Sequence, residues 1–243
     1  MKTNTYWILS ILFLFIGIHQ TNYSAIYSGT GSLNSYTFTV NRADFIGNSI
    51  GVEVSSVKNE SILFCNFDLE VNAGDAAACA TGAPSFGINM VGSHSFIIEE
   101  NTFSKKEGAT QGLYFGIKCK DSNTPIDVIY RNSFNGLSYG NYAEGLNREK
   151  PGDDYNGLQF MCNTNQNNAV DFIVAKKNPD DTPMIHGSQG SLKLEAGNTF
   201  SANPLAEGNF KNEVRQYVNY FYNTNPLVLP YRYLCSSNSG YYN

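Results

Sequence analysis

Phe96–Phe103 reads FIIEENTF, Ile129–Phe134 reads IYRNSF, and Leu194–Phe200 reads LEAGNTF. In each, apolar residues lead into Asn-x-Phe. Weaker copies are FTVNRADF, ending at Phe45, and ILFCNF, ending at Phe67, while MCNTN around Asn163 keeps the Asn and loses the Phe. A second pattern sets Gly before alternating apolar residues, at Gly51, Gly87, Gly116 and Gly157. Asn101, Asn132 and Asn163 follow one another at equal intervals of 31 residues, and the step from Gly51 to Gly87 equals that from Phe67 to Phe103, 36 residues. Such steps describe a solenoid whose coils carry insertions of varying length.

Within each unit the apolar residues alternate with period 2, so the elements are short strands. No amphipathic helix is expected between residues 26 and 205, which excludes helical repeats and βαβ folds. A coil of strands and turns alone buries its apolar face only by stacking on its neighbours. The expected fold is all-β, a parallel β-helix of about five to six coils with capping segments, about 25 Å long at strand spacing.

At each bend the chain must turn sharply, and Asn enters the left-handed conformation at little cost. Its amide can also accept from one neighbouring coil and donate to the other. Asn101, Asn132, Asn163 and Asn198 are the expected ladder, with Phe103, Phe134 and Phe200 stacking two residues on. Ala43 and Cys65 hold the Asn place in the first two copies, so the ladder begins at the third.

The composition agrees with that architecture. The chain has 243 residues, 30 of them Asn and 22 Gly, with 16 Tyr, 16 Phe and only 15% charged side chains. Polarity is thus carried by neutral groups suited to tight turns. The net charge of -5 argues against nucleic acid as a partner, because a duplex binder needs clustered Lys and Arg.

Residues 1–24 read as a secretory leader. Lys2 precedes an apolar run, Trp7 to Ile18, of twelve residues, whereas a membrane-spanning helix needs about 20. The rest is expected to be exported, secreted or displayed at a surface, with no membrane span in the mature chain. Five cysteines follow: Cys65, Cys79, Cys119, Cys162 and Cys235. None forms a CxxC pair, which weakens any zinc site. An odd number leaves one thiol free or paired outside the chain. Cys65, Cys119 and Cys162 lie in apolar runs and read as small core residues. The β-helix is placed at 25–205. An aromatic segment at 206–243, where Val214, Val218 and Phe221 suit a helix and Val218, Tyr220 and Tyr222 a strand, is read as a C-terminal cap, or alternatively as a sugar-binding platform.

FIIEENTF, IYRNSFNGLSYG and NGLQFMCNTNQNN resemble the right-handed parallel β-helix domains of large secreted surface proteins of gliding-type bacteria, within the pectin-lyase-like class. The resemblance covers roughly residues 36 to 203 and speaks to fold more than to activity. In those proteins a C-terminal sorting domain follows, many being exported by the type IX route; no such domain is read here.

The resemblance implies that an enzyme acting on acidic polysaccharides must be considered. Hydrolysis needs two converging carboxylates. The candidates are Asp153 and Asp154 in KPGDDYN, and Asp180 and Asp181 in NPDDTP, with His186 following. The similar polygalacturonases carry NTD, an Asp pair and GHG on successive coils. Here NTD is missing and His186 lacks the preceding Gly. Both Asp pairs sit in loops, where Asp is favoured for its own backbone hydrogen bonds. A lyase would need calcium and an Arg or Lys base; Arg42, Arg131 and Arg148 have no paired acids at strand spacing. Asp180 and Asp181 could at most hold a structural Ca2+, and no other metal site is indicated. The expected function is a non-catalytic, adhesin-like surface module that binds a glycan or a protein. The alternative is a polysaccharide lyase or glycoside hydrolase.

Overall fold

The structure is a computed structural model that describes residues 17–19, 24–29, 37–71, 84–109, 112–123, 125–150, 155–178, 184–192, 194–201, 209–213 and 217–221. Its strands fall into three long parallel sheets. Sheet A holds β1 (Gly17–His19), β4 (Asp44–Asn48), β7 (Asn66–Leu69), β10 (Thr102–Lys105), β13 (Ser133–Asn135) and β16 (Thr164–Gln166). Sheet B holds β2 (Ser24–Gly29), β5 (Ile50–Ser55), β8 (Ser85–Val91), β11 (Tyr114–Lys120), β14 (Tyr139–Glu144), β17 (Val170–Ala175) and β19 (Phe210–Asn212). Sheet C holds β3 (Thr39–Asn41), β6 (Ser61–Leu63), β9 (Ile97–Glu99), β12 (Ile126–Tyr130) and β15 (Gly157–Met161).

Every third strand pairs in parallel, so each coil runs from sheet C to A to B before the next begins. The fold is an all-β parallel β-helix solenoid. A further parallel pair joins β18 (Ser188–Gln189) to β20 (Asn219–Tyr220). β1 lies within the stretch read as a leader and pairs with Asp44–Ile46. From the segment read as a cap, β19 extends sheet B beside β17, and Asn219–Tyr220 is strand, not helix.

Phenylalanine fills the interior. Phe45, Phe67, Phe103 and Phe134 occupy one inward column of sheet A, with ring centroids 4.6, 4.7 and 5.0 Å apart and nearly parallel planes. Each is essentially inaccessible to solvent, and burial of a side chain this size stabilises by about 2–3 kcal/mol. The stack ends at Asn165, which pairs with Phe134 in register. Phe200 is therefore not its continuation: it lies edge-on to Phe172 at 5.7 Å.

The glycine pattern makes room for these rings. A Cβ on Gly51, Gly87 or Gly116 would come within 2.6, 2.4 or 2.5 Å of the ring of Phe67, Phe103 or Phe134. The fourth member of this column is Gly140, between Tyr139 and Asn141, which align with Phe115 and Ile117. Gly157 opens a strand of sheet C opposite Ile126 instead. Its place among the recurring glycines is corrected accordingly.

The bends also differ from expectation in one respect. The left-handed residue is the one before each Asn, or before Ala43 and Cys65 in its place: Arg42, Phe64, Glu100, Arg131, Cys162 and Gly197. That leaves the Asn side chain pointing inward, where it meets the next coil. Asn101 N donates to Asn132 Oδ1 at 2.9 Å, Asn132 N to Asn163 Oδ1 at 3.0 Å, and Asn163 N to Asn198 Oδ1 at 2.8 Å. The Nδ2 groups of the first three also donate along the ladder, at 3.0, 3.3 and 3.1 Å. Cys65 N donates to Asn101 Oδ1 at 2.9 Å, which starts the series.

The other two corners use the same device with other residues. Leu137 N donates to Asn168 Oδ1 and Asn168 N to Ser201 Oγ, both at 3.0 Å. Val57 N donates to Ser93 Oγ at 3.1 Å and Ser122 N to Asn147 Oδ1 at 3.2 Å. Backbone groups turned away from the sheets are thereby satisfied inside the coil stack.

Candidate functional site

The sheet registers line up two outward columns on sheet A. One runs Asp44, Asn66, Thr102, Ser133, Thr164 and, through a bridge, Thr199. The other runs Ile46, Asp68, Ser104, Asn135 and Gln166. Residues between them point inward as the Phe stack, since side chains alternate across a strand. Thr102, Asn135, Thr164, Gln166 and Thr199 are exposed, while Ser104 and Ser133 are half-buried.

This face changes character along its length. At the Asp44 end Asn66 Nδ2 donates to Asp44 Oδ1 at 2.7 Å, and Lys106 pairs with Glu70 at 2.6 Å. Burial pushes the Asp68 carboxyl up, against the pull of Lys106 and with Glu70 adding to it. From Thr102 onward both columns carry only hydroxyls and amides. They repeat once per coil on a backbone held rigid from beneath. The edge of the face is the column of bend residues, where Arg42 lies over the Phe64 ring at 4.9 Å and Arg131 pairs with Glu100.

Sheet B offers a different exterior. Phe86, Phe115 and Tyr139 stack at 4.9 and 4.8 Å, and Tyr142 meets Phe115 and Tyr139 edge-on at 5.2 and 5.4 Å. Stacked rings spend their faces on one another and turn edges outward, so this column is a poor platform for a sugar ring. Lys118 and Lys120 both pair with Glu144, at 2.6 and 3.1 Å. Burial opposes ionisation of Glu144, but hydrogen bonds from the two lysines hold its carboxyl below the usual range. Burial and nearby Glu144 push the Tyr142 hydroxyl up to about 12. The sequence signal for this column is an aromatic before three of the recurring glycines, Phe86-Gly87, Phe115-Gly116 and Tyr139-Gly140.

At the C-terminal end a cavity of about 420 Å³ is lined by Phe200, Asn209, Phe210, Asn212, Tyr217, Val218 and Tyr220. Tyr220 accepts a hydrogen bond from Asn198 Nδ2 at 2.9 Å, and burial pushes its hydroxyl up to about 12.

The catalytic candidates do not form a constellation among the described residues. Asp153, Asp154, Asp180 and Asp181 lie outside them. His186 Nδ1 accepts from Ser188 N at 2.9 Å. Arg148 is fully buried and donates through Nε to the Ile185 carbonyl at 2.9 Å. Among the described residues no group of three or more His, Cys, Asp or Glu could hold a metal ion, and no helix is long and apolar enough to cross a membrane.

The cysteines need one correction. Cys65 and Cys119 are buried free thiols, and burial pushes Cys65 up to about 11 and Cys119 well above its usual value. Cys162 is not a simple core thiol: it sits at a bend and is disulfide-bonded. Cys79 and Cys235 lie outside the described residues. No protein family, curated protein or solved structure matches the chain.

Proposed function

We propose that the protein is a non-catalytic β-helix module, exported or displayed at a cell surface, that binds a neutral polysaccharide along the outer face of sheet A. The single observation that carries this reading is the pair of columns from Thr102 to Thr199, uncharged, repeated once per coil, and exposed except at the half-buried Ser104 and Ser133. A pyranose ring advances its chain by about the distance between coils. Hydroxyls and amides at that repeat can meet successive sugar hydroxyls without rearranging. The absence of charge on this stretch favours a neutral chain over a uronate polymer, whose carboxylates would find no cation there. The wider resemblance to pectin-lyase-like domains of secreted bacterial surface proteins is part of the same reading.

The test is retention of the protein on immobilised neutral and acidic polysaccharides, with the polymers analysed afterwards for cleavage. Binding to a neutral polymer is expected, with no product released. Asn135→Lys combined with Thr164→Lys should weaken it about tenfold or more. Undiminished binding by that variant, preference for acidic polymers, or binding to protein ligands alone would each refute the assignment.

A further inference from the structure

We infer that the cavity at the C-terminal end of the solenoid binds one neutral sugar ring, the end unit of the polymer laid along sheet A. That the ring is a chain end rests on the proposed function. That the cavity takes a sugar follows from its own walls.

Those walls are the inward columns of the solenoid at the rung where stacking stops. In sheet B one inward column runs Val54, Met90, Cys119, Ala143 and Val174, and ends on β19 at Asn212. Every earlier member is buried. The last is an amide, and it lines the cavity. The neighbouring column ends at Phe210, one coil beyond Phe172. A rung made only to face water would be polar throughout, and a core position would have kept its aliphatic side chain. This one mixes rings with amides.

The rings stand apart. Phe210 meets Tyr220 edge-on, with centroids 6.2 Å apart and planes at 69°, and Phe200 is tilted 55° to Tyr220 at 5.6 Å. They border a space of about 420 Å³, whereas the rings on sheet B cover one another. Tyr220 is held in place, because the Asn ladder ends on its hydroxyl through Asn198. Tyr217 stands at the mouth, 79% exposed. Asn209 Oδ1 has no hydrogen-bond partner among the described residues, so the bonding capacity of that amide is not spent. The described lining carries no charged side chain, and Lys211 and Glu213, on either side of Asn212, pair with each other at 3.1 Å.

Ring faces beside amides, with no charge, suit a pyranose, which offers C–H faces and a rim of neutral hydroxyls. The position suits a chain end. Thr199 closes the first outward column of sheet A, and Phe200, next in the chain, lines the cavity. A polymer lying on that column reaches the cavity at the lip of the last coil.

NMR of the full chain during titration with glucose, galactose, mannose, N-acetylglucosamine and, as the acidic control, glucuronate tests the site. At least one neutral sugar should shift the Asn209, Asn212 and Tyr217 side-chain signals together, and bind at least about tenfold tighter than glucuronate. Tyr217→Ala, at an exposed ring, should weaken it about fivefold or more, while Asn135→Lys combined with Thr164→Lys should leave it unchanged. A short oligomer of the same sugar should be weakened by both variants. No shift from any neutral sugar, equal binding of glucuronate, or an unaffected Tyr217→Ala chain would overturn the sugar site. Loss of polymer retention in the lysine variant would then still leave the reading of sheet A standing. An oligomer weakened by Tyr217→Ala alone would overturn the chain-end placement.

Discussion

Asn132 reaches coils on both sides of its own: its Oδ1 takes the Asn101 N–H at 2.9 Å, while its Nδ2 reaches Ile98 O at 3.0 Å and Asn163 Oδ1 at 3.3 Å. Asn132→Ala leaves that N–H and that carbonyl unpaired in the interior, and should destabilise by about 2–4 kcal/mol in urea unfolding. Asn135→Ala, on the exposed face three residues away, should stay within about 0.5 kcal/mol; equal losses would deny the ladder its role. Glu60 makes the opposite case. It is wholly buried, and among the described residues neither carboxyl oxygen has a hydrogen-bond partner. Burial, with some help from Asp127, pushes its carboxyl from 4.5 up to about 8. The native state therefore holds a proton that the unfolded chain releases above pH 4.5. Stability falls as pH rises through that window and levels off past about 8, an effect of roughly 5 kcal/mol at most. Glu60→Gln keeps the shape without the titration, so its urea midpoint should decline less between pH 5 and 8. Parallel profiles for the two chains would show that Glu60 is not the group responsible.

At the scale of the strand, sheets A and B fit together because a ring in one coil lies against a glycine in the coil before. A Cβ on Gly116 would meet Phe134 Cδ1 at 2.5 Å and the Gly140 carbonyl at 2.6 Å. Neither can move without disturbing the ring stack or a β-ladder, so Gly116→Ala should cost about 1–3 kcal/mol in chemical unfolding. A cost below 0.5 kcal/mol would mean that the rings shift freely. This pairing also shows how far the sequence could be read. The period of Asn-x-Phe and the alternation around it were enough for the β-helix, because stacking repeats the same demand in every coil. Gly157 misled because Gly-Leu-Gln-Phe satisfies the same alternation in sheet C that Gly-Ile-Lys-Cys satisfies in sheet B. Only pairing partners tell the sheets apart, and Gly140 was hidden because its strand carries Asn141 where its neighbours carry the apolar Ile117 and Phe172. The bend residues were missed for a related reason. Arg42, Phe64, Glu100, Arg131 and Cys162 share no chemistry, so a common left-handed backbone leaves no trace in composition. The outward hydroxyl and amide columns of sheet A stand in the sequence as Thr102-Phe103-Ser104 and Ser133-Phe134-Asn135, flanking the Phe that points inward.

For the molecule as a whole, each coil touches only its neighbours, so stability is a sum of coil terms and interfaces. Those interfaces are not equal. The Phe stack runs unbroken from Phe45 to Phe134, and the Asn ladder overlaps it from Cys65 through Asn163. Past Phe134 the stack gives way to a polar cluster in which Asp171 accepts from Ser201 Oγ at 2.7 Å and from Asn168 Nδ2 at 3.1 Å. Hydrogen bonds to a buried carboxylate are strong when complete, but they rely on every member being in place. The middle coils should therefore open last. Amides of β8, β11 and β14, flanked by sheet on both sides, should exchange at the rate of global unfolding, while those of β2 and β19 at the ends of sheet B should exchange faster by local opening. Asp171→Asn weakens the charge-assisted bonds of the polar cluster alone. It should accelerate exchange in β17 and β19 while leaving β8 and β11 unchanged. If exchange instead rises equally across sheet B, the solenoid unfolds as one cooperative block, and the division between a ring-stacked half and a hydrogen-bonded half has no energetic meaning.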